Sequence, residues 1–307
     1  MVGRKIAFVF PGQGAQYRGM GREFYEEFSC ARKVFEKANQ ILNLDLPRLC
    51  FYGSEQELRD TYNSQVSIFT TSIACWEVVK ANFSFSPLIV AGLSLGEWTA
   101  LVVAKVISFE EGLRLVSKRA RFMKEACRRK EGGMVSIIGL SLSKVEEICE
   151  QVEAEIANLN SPEQIVVSAE KGRLEEVIKL AKENGGRAVI LKTEGGFHSS
   201  LMDSAAEKLK KELEGVRMLS PQILLISNFI ADFQSSPEQI KRNLINQVNH
   251  PTRWQECVEL MLSKGIDTFL EIGPGKVLTR LLSRISPIAK GYNIEDMKSL
   301  KRLKEQI

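Results

Sequence analysis

The stretch from Leu88 to Ala104 constrains this chain more than any other. It reads Leu88-Ile89-Val90-Ala91, then Gly92-Leu93-Ser94-Leu95-Gly96, then Glu97-Trp98-Thr99-Ala100-Leu101-Val102-Val103-Ala104. A short apolar run before the glycines suits a buried strand, and the residues after them suit a helix. Gly-x-Ser-x-Gly between a strand and a helix predicts a sharp turn that presents a serine. The turn is so tight that Gly92 and Gly96 are expected to need the absence of a side chain. It lifts the Ser94 hydroxyl clear of the sheet and leaves the N–H of Leu95 free at a helix N-terminus. Free N–H groups and the helix dipole there favour negative charge beside the serine. Ser94 is the candidate nucleophile.

Around this unit the chain reads as a large α/β body. Ile6-Ala7-Phe8-Val9-Phe10 is a buried parallel strand that ends in Pro11-Gly12-Gln13-Gly14-Ala15-Gln16. A dinucleotide fingerprint would need a third glycine at position 17; Tyr17 stands there, so no such site is expected. The glycines can instead bring a backbone N–H close to a ligand. Residues 20–45 and 55–62 are helix-like, Val66 to Val79 is an apolar helix, and Phe109 to Ala126 is another. That last helix carries Arg114, Lys118, Arg119, Arg121 and Lys124, most of them expected to be solvated.

The texture changes after Gly132-Gly133. Met134 to Ile138 is a strand, Ser143 to Glu155 a helix, and Ile156–Asn160 and Gln164–Ser168 are strands around a Ser161-Pro162 turn. Leu174 to Glu183 is a helix and Ala188–Leu191 a strand. The order β-α-β-β-α-β is that of a ferredoxin-like motif. It is expected as an inserted small subdomain over 132–196, hinged at Gly132-Gly133 and Gly195-Gly196, within a large subdomain of 1–131 and 197–307. The body resumes with a helix from Ser199 to Leu213, a strand Ile223–Ser227, and helices Glu238–Val248 and Trp254–Lys264. The strand Thr268–Ile272 ends in Gly273-Pro274-Gly275-Lys276, which lacks phosphate-loop spacing and reads as a turn. A charged helix closes the chain over Asp296–Lys304.

Hydrophobic residues make up 44% and charged residues 26%, with a net charge of +4. That dispersed charge argues against nucleic acid and would suit an acidic partner or a phosphorylated ligand. Six scattered cysteines with no Cys-x-x-Cys are expected as buried reduced thiols. The apolar run Ile6–Phe10 stops at Pro11, too short for a signal-peptide core, and no stretch is long enough to cross a membrane. A cytoplasmic location is expected.

A serine hydroxyl needs a base to take its proton. The chain has two histidines. His198 follows Gly195-Gly196-Phe197 at the seam of the small subdomain, where clefts form, whereas His250 precedes Pro251 and is held extended. His198 is the candidate base. No Asp occurs between 94 and 198, and the glutamates there lie in helix-like or exposed charged stretches. The group that orients the imidazole must come from elsewhere or be a carbonyl.

Four segments occur together and in order: Phe10-Pro11-Gly12-Gln13-Gly14-Ala15-Gln16, Gly92-Leu93-Ser94-Leu95-Gly96-Glu97, Gly195-Gly196-Phe197-His198-Ser199 and Glu271-Ile272-Gly273-Pro274-Gly275. In these the chain resembles, from about residue 5 to about 292, the malonyl-CoA:acyl-carrier-protein transacylases of fatty-acid synthesis. The resemblance implies an α/β-hydrolase-like body with the ferredoxin-like insertion. It implies Ser94 as the residue that carries the malonyl ester and His198 as its base. Arg119 would grip the malonyl carboxylate, since a guanidinium meets a carboxylate with two parallel hydrogen bonds. The N–H groups of Gln13 and Leu95 would form the oxyanion hole, and Gln247 would orient His198 through a carbonyl. Phe197 and Leu93 would wall the acyl pocket.

Two positions depart from the family pattern. Leu93 stands where histidine is usual, making the pocket wall more apolar, and Thr252 stands where valine is common. Phe197 matches the form that takes malonyl rather than methylmalonyl, a one-methyl discrimination of about 1–3 kcal/mol. The resemblance further implies coenzyme A thioester and acyl carrier protein as partners, no metal or redox cofactor, no membrane, and a monomer. Basic clusters at Arg128-Arg129-Lys130, at Lys208, Lys210 and Lys211, and at Arg280 with Arg284 are candidates for carrier-protein docking. The alternatives are a serine acyl hydrolase using water as acceptor, an acyltransferase of polyketide synthesis, and a non-catalytic module that binds a carrier protein.

Overall fold

The computed structural model describes residues 5–306, so the first four residues and the last lie outside this account. Among the described residues ten strands form two sheets: β1 (Ile6–Phe10), β2 (Ile89–Gly92), β3 (Gly132–Ile138), β4 (Glu155–Ser161), β5 (Gln164–Glu170), β6 (Arg187–Ile190), β7 (Leu224–Ser227), β8 (Asp232–Gln234), β9 (Thr268–Ile272) and β10 (Lys290–Ile294). The larger sheet has the order β10-β9-β1-β2-β7-β8. Its first five strands are mutually parallel, with Phe10 opposite Gly92 and Val9 opposite Glu271. The sixth, β8, runs antiparallel to β7.

β1 shows why this sheet is covered on both faces. Each of its residues is buried, and alternate side chains point to opposite sides. Phe8 and Phe10 join the core that holds the helices Thr61–Asn82, Leu95–Val103 and Phe109–Arg129. Ala7 and Val9 face Trp254, Val258, Leu278 and Leu281, on the helices Trp254–Ser263 and Val277–Ile285. The apolar run expected over Val66–Val79 lies inside the Thr61–Asn82 helix, which is buried along most of its length.

The second sheet is antiparallel, with the order β4-β5-β3-β6. With the helices Leu142–Val152 and Leu174–Glu183 it has the expected β-α-β-β-α-β order. Val135 and Ile137 pack beneath those helices against Val145, Ile148 and Val177. Met134 and Val166 instead join the core of the main body. The fold class read from the sequence is the one found, a parallel-rich central sheet with a second, antiparallel sheet.

Several boundaries differ from expectation. The helix expected over Ser143–Glu155 ends at Val152, where Glu153 turns left-handed (φ 52) and releases Glu155 into β4. Ser199 is extended, so the helix expected from that residue begins only at Asp203, after a tight turn over Ser200–Met202. β8, the helix Val277–Ile285 and β10 are elements beyond those expected. The glycines expected as hinges are closely packed. Gly132 and Gly133 pair with β5, and a Cβ on Gly132 would lie 3.0 Å from the backbone N of Gly196. The cysteines are free; five are buried and Cys30 is half-buried, short of the full burial expected.

Candidate active site

The elbow is built by close backbone approach. β2 ends at Gly92, Ser94 adopts φ 51 and ψ −102, and the helix Leu95–Val103 follows at once. A Cβ on Gly92 would sit 2.0 Å from the carbonyl carbon of Gly96, and one on Gly96 would sit 2.0 Å from the Phe10 oxygen. Neither position tolerates a side chain. The strained serine is braced by Asn228, just past β7. Its Oδ1 accepts from the Ser94 N–H at 2.6 Å, and its Nδ2 donates to the Gly92 carbonyl at 2.8 Å.

The segment that brings His198 is held as closely. A Cβ on Gly195 would lie 2.3 Å from Cys127 Sγ, so glycine lets the chain pass against the Phe109–Arg129 helix. Ser168 on β5 donates its hydroxyl to the Phe197 carbonyl at 2.6 Å, and Ser199 donates to the Gly196 carbonyl at 2.8 Å. His198, at φ 57, then puts Nε2 2.8 Å from Ser94 Oγ. Its Nδ1 lies 2.6 Å from the backbone oxygen of Gln247. A carbonyl can only accept, so Nδ1 carries the proton and Nε2 is free to take one. Burial pushes the imidazole down from its ordinary 6.5 to about 4, the Arg119 charge adds to this, and the Gln247 carbonyl opposes it.

Arg119 is 1% exposed and faces the same serine. Its Nη2 donates to Ser94 Oγ at 3.0 Å and to Gln247 Oε1 at 3.2 Å, while Nη1 donates to Gln65 Oε1 at 2.6 Å. Since Arg119 donates to Ser94, the serine's own proton is directed to His198. The Arg119 Nε–H is buried and has no hydrogen-bond partner among the described residues. Burial pulls the guanidinium down to about 10, opposed by Glu97, so it stays cationic at neutral pH.

Gln13 and Ser94 line one cleft of about 870 Å³. Leu93 N–H donates to the Phe10 carbonyl at 3.0 Å, and a Cβ on Gly12 would sit 2.4 Å from the Leu93 oxygen, so the Pro11–Gly14 loop lies directly over the elbow. Leu95 is the first residue of the elbow helix, where an N–H has no intrahelical carbonyl. The Gly273–Lys276 turn braces this loop: a Cβ on Gly273, at φ 135, would meet Pro11 at 2.9 Å and Ser72 Oγ at 2.4 Å. Glu271 accepts from Leu278 N and Thr279 N and so caps the helix Val277–Ile285.

The cleft runs between the two sheets. Leu93, Val277 and Leu281 form its wall on the main body, with Met134 and Val166 across from them. Phe197, 4% exposed, lines it beside His198. Thr252 is fully buried, accepts on its hydroxyl oxygen from Asn158 Nδ2, and exchanges backbone hydrogen bonds with Ala157 and Leu159, which stitches β4 to the main body. His250 is exposed and stacks edge-on against Phe229, apart from this cluster.

Sequence reasoning misses four buried polar residues here: Gln65, Asn228, Gln234 and Glu97. Glu97 belongs to the interval searched for a carboxylate, and its helix gives no hint that it is 0% exposed. Its neighbours come from segments more than a hundred residues downstream. Asn228 and Gln234 have no motif to mark them; only their positions, just past β7 and at the end of β8, do so.

The chain is similar to known proteins along nearly its whole length. The family model for the acyl transferase domain matches residues 7–304. A malonyl CoA-acyl carrier protein transacylase of Bacillus subtilis strain 168 is 41% identical over 302 residues, covering 96% of this chain and 95% of that one. The crystal structure of a malonyl CoA-acyl carrier protein transacylase from Clostridium perfringens superposes with a TM-score of 0.93 at 38% identity, covering 98% of this chain and 96% of that one. A type II PKS acyl-carrier protein in complex with its malonyl-transacylase gives a TM-score of 0.95 at 36% identity, covering 99% and 100%. Matched along nearly its whole length in both sequence and fold, the chain belongs to the acyl transferase domain family.

Proposed function

We propose that this protein transfers the malonyl group of malonyl-CoA to the phosphopantetheine thiol of acyl carrier protein, through an ester on Ser94, in fatty-acid synthesis. The observation that carries the reading is the convergence on one hydroxyl: imidazole at 2.8 Å and buried guanidinium at 3.0 Å. A hydrolase for neutral lipids has no use for a cation there. An acyl group with its own carboxylate does, and the unpartnered Arg119 Nε–H offers it a two-toothed edge with Nη2 once Nη2 gives up its bond to Ser94 Oγ, the oxygen that becomes the ester.

In the first half-reaction Ser94 Oγ bonds to the thioester carbon as His198 Nε2 takes the hydroxyl proton. The oxyanion that forms accepts from the N–H groups of Gln13 and Leu95, each donor lowering the barrier by about 2.7–4 kcal/mol. Collapse breaks the C–S bond, and coenzyme A leaves with the proton from His198. In the second half-reaction the carrier thiol gives its proton to His198 and attacks the ester, and the Ser94 oxygen leaves with that proton. Gln247 orients the imidazole through its backbone carbonyl, and Phe197 with Leu93 bounds the space around the acyl group.

Under this reading the residues 1–131 and 197–307 form the acyl-transfer body and 132–196 the small subdomain. The separate core under β3 and β5 supports that division. We place the enzyme in the cytoplasm as a monomer that needs no metal or redox cofactor. Among the described residues no helix is long and apolar enough to cross a membrane. For carrier docking, Arg280 and Arg284 are the favoured cluster, because they are exposed on the helix whose Val277 and Leu281 border the cleft.

The test is the mass of the intact protein after brief exposure to malonyl-CoA. A single malonyl adduct mapping to the peptide with Ser94, discharged by carrier protein, is expected. No adduct, or one elsewhere, overturns the reading.

A further inference from the structure

Glu97 is a fully buried carboxylate with no ion-pair partner among the described residues. Three N–H groups point at it instead: the backbone of Asn228 at 3.0 Å, Gln234 Nε2 at 2.8 Å and Gln247 Nε2 at 2.7 Å. Burial pushes its pKa up, while these bonds and the Arg119 charge hold it down. All three polar neighbours donate to the carboxyl oxygens, so each of their N–H groups is anchored on this side chain.

The consequence runs through Gln247. Its side-chain amide is caught between Glu97, which accepts at 2.7 Å, and Arg119, which donates at 3.2 Å. Only one orientation of the amide satisfies both. The same Nε2 reaches the Ser94 carbonyl at 3.1 Å, and the backbone oxygen of this residue accepts from His198 Nδ1 at 2.6 Å. We infer that Glu97 is a positioning residue for acyl transfer: by holding the Gln247 amide in one orientation it fixes both the carbonyl that aligns His198 and the oxygen that aligns Arg119. This rests on the roles proposed above for Ser94, His198 and Arg119.

Two substitutions separate the anchor from its charge. In Glu97→Gln the hydrogen bonds can be kept. Asn243 Nδ2 donates to Gln234 Oε1 at 3.0 Å, so the Gln234 and Asn243 amides can turn over in step to accept from the new NH₂. Glu97→Ala removes the anchor altogether. The readouts are kcat for malonyl transfer, per folded molecule, and the ¹⁵N shifts of the His198 ring, in a His250→Gln background that leaves one imidazole.

For Glu97→Ala we expect kcat about 100-fold lower, the cost of a small misplacement of catalytic groups, and a His198 ring that no longer holds the Nδ1–H tautomer alone. Glu97→Gln should keep the tautomer and most of kcat. If either readout of Glu97→Ala stays at the wild-type value, the inference is overturned. Should Glu97→Ala not fold, Glu97→Asp carries the same test, since it keeps the charge but withdraws the oxygens from Gln247; unchanged values there overturn it equally. A wild-type protein that forms no malonyl adduct on Ser94 defeats the functional reading instead, so the two failures are distinct.

Discussion

Ser94 and His198, 104 positions apart, meet at 2.8 Å, and both hold left-handed backbone, φ 51 and 57. A positive φ is uncommon for any residue but glycine, so each conformation is maintained by its surroundings. For Ser94 these are the amide of Asn228 and the glycines on either side; for His198 they are the hydroxyl bonds to Phe197 and Gly196. The strain aims one side chain at the other.

Ser94→Ala removes the only atom that can carry the acyl group in this scheme. No malonyl adduct should form on the intact protein, while the melting temperature stays near that of wild type. Labelling at the normal rate would move the nucleophile elsewhere.

Arg119→Ala should change which substrate is used. Hydrogen bonds to a charged group contribute about 1.5–3 kcal/mol, so malonyl transfer should fall by one to two orders of magnitude on that basis, and acetyl transfer should hold or rise. Arg119→Lys should not restore malonyl transfer, because an ammonium lacks the planar fork. Equal loss for both acyl groups would leave Arg119 as scaffold. The measurement is kcat/KM for the two thioesters side by side.

The pH dependence follows from His198. The base must be neutral, and its pKa is lowered from 6.5 to about 4 by burial. Activity is therefore present above that value and lost as pH falls through about 4, well below the 6.5 of a free imidazole. Stability shifts in the same direction. Between 6.5 and about 4 the unfolded chain binds the proton that the folded chain refuses, so this contribution is present above 6.5 and drains away as pH falls toward 4. A kcat/KM profile with its acid limb near 6.5 would contradict the buried neutral imidazole.

Gly12→Ala tests the loop over the elbow. The added methyl would sit 2.4 Å from the Leu93 oxygen, so the loop carrying Gln13 must lift. Losing one oxyanion donor costs about 100-fold or more in kcat, and KM for malonyl-CoA should change little. A variant with wild-type kcat would remove Gln13 from the oxyanion hole.

Arg280→Glu with Arg284→Glu should slow discharge to an acidic carrier protein at low salt and leave acylation by malonyl-CoA untouched. The contrast should shrink as salt is raised, since surface charges are screened over roughly 8–10 Å under ordinary conditions. Rapid-quench measurement of the two half-reactions reads it directly. No asymmetry would take this helix out of the docking surface.

Local chemistry made much of this legible before any coordinates. The apolar runs of β1 and β2 and the spacing of Gly92, Ser94 and Gly96 are contact rules between near neighbours, and they hold in the fold. His198 could be chosen because only one other histidine competes. Short elements such as β8, at three residues, carry too little periodicity to be read.

What the sequence determined by itself, then, is the elbow, the parallel sheet around it and the inserted β-α-β-β-α-β unit, because each follows from side chains close together in the chain. The tertiary structure alone decided which further groups brace the site. The burial of Glu97, the amide brace of Asn228 and the open Nε–H of Arg119 are each set by which distant segments come to lie around them.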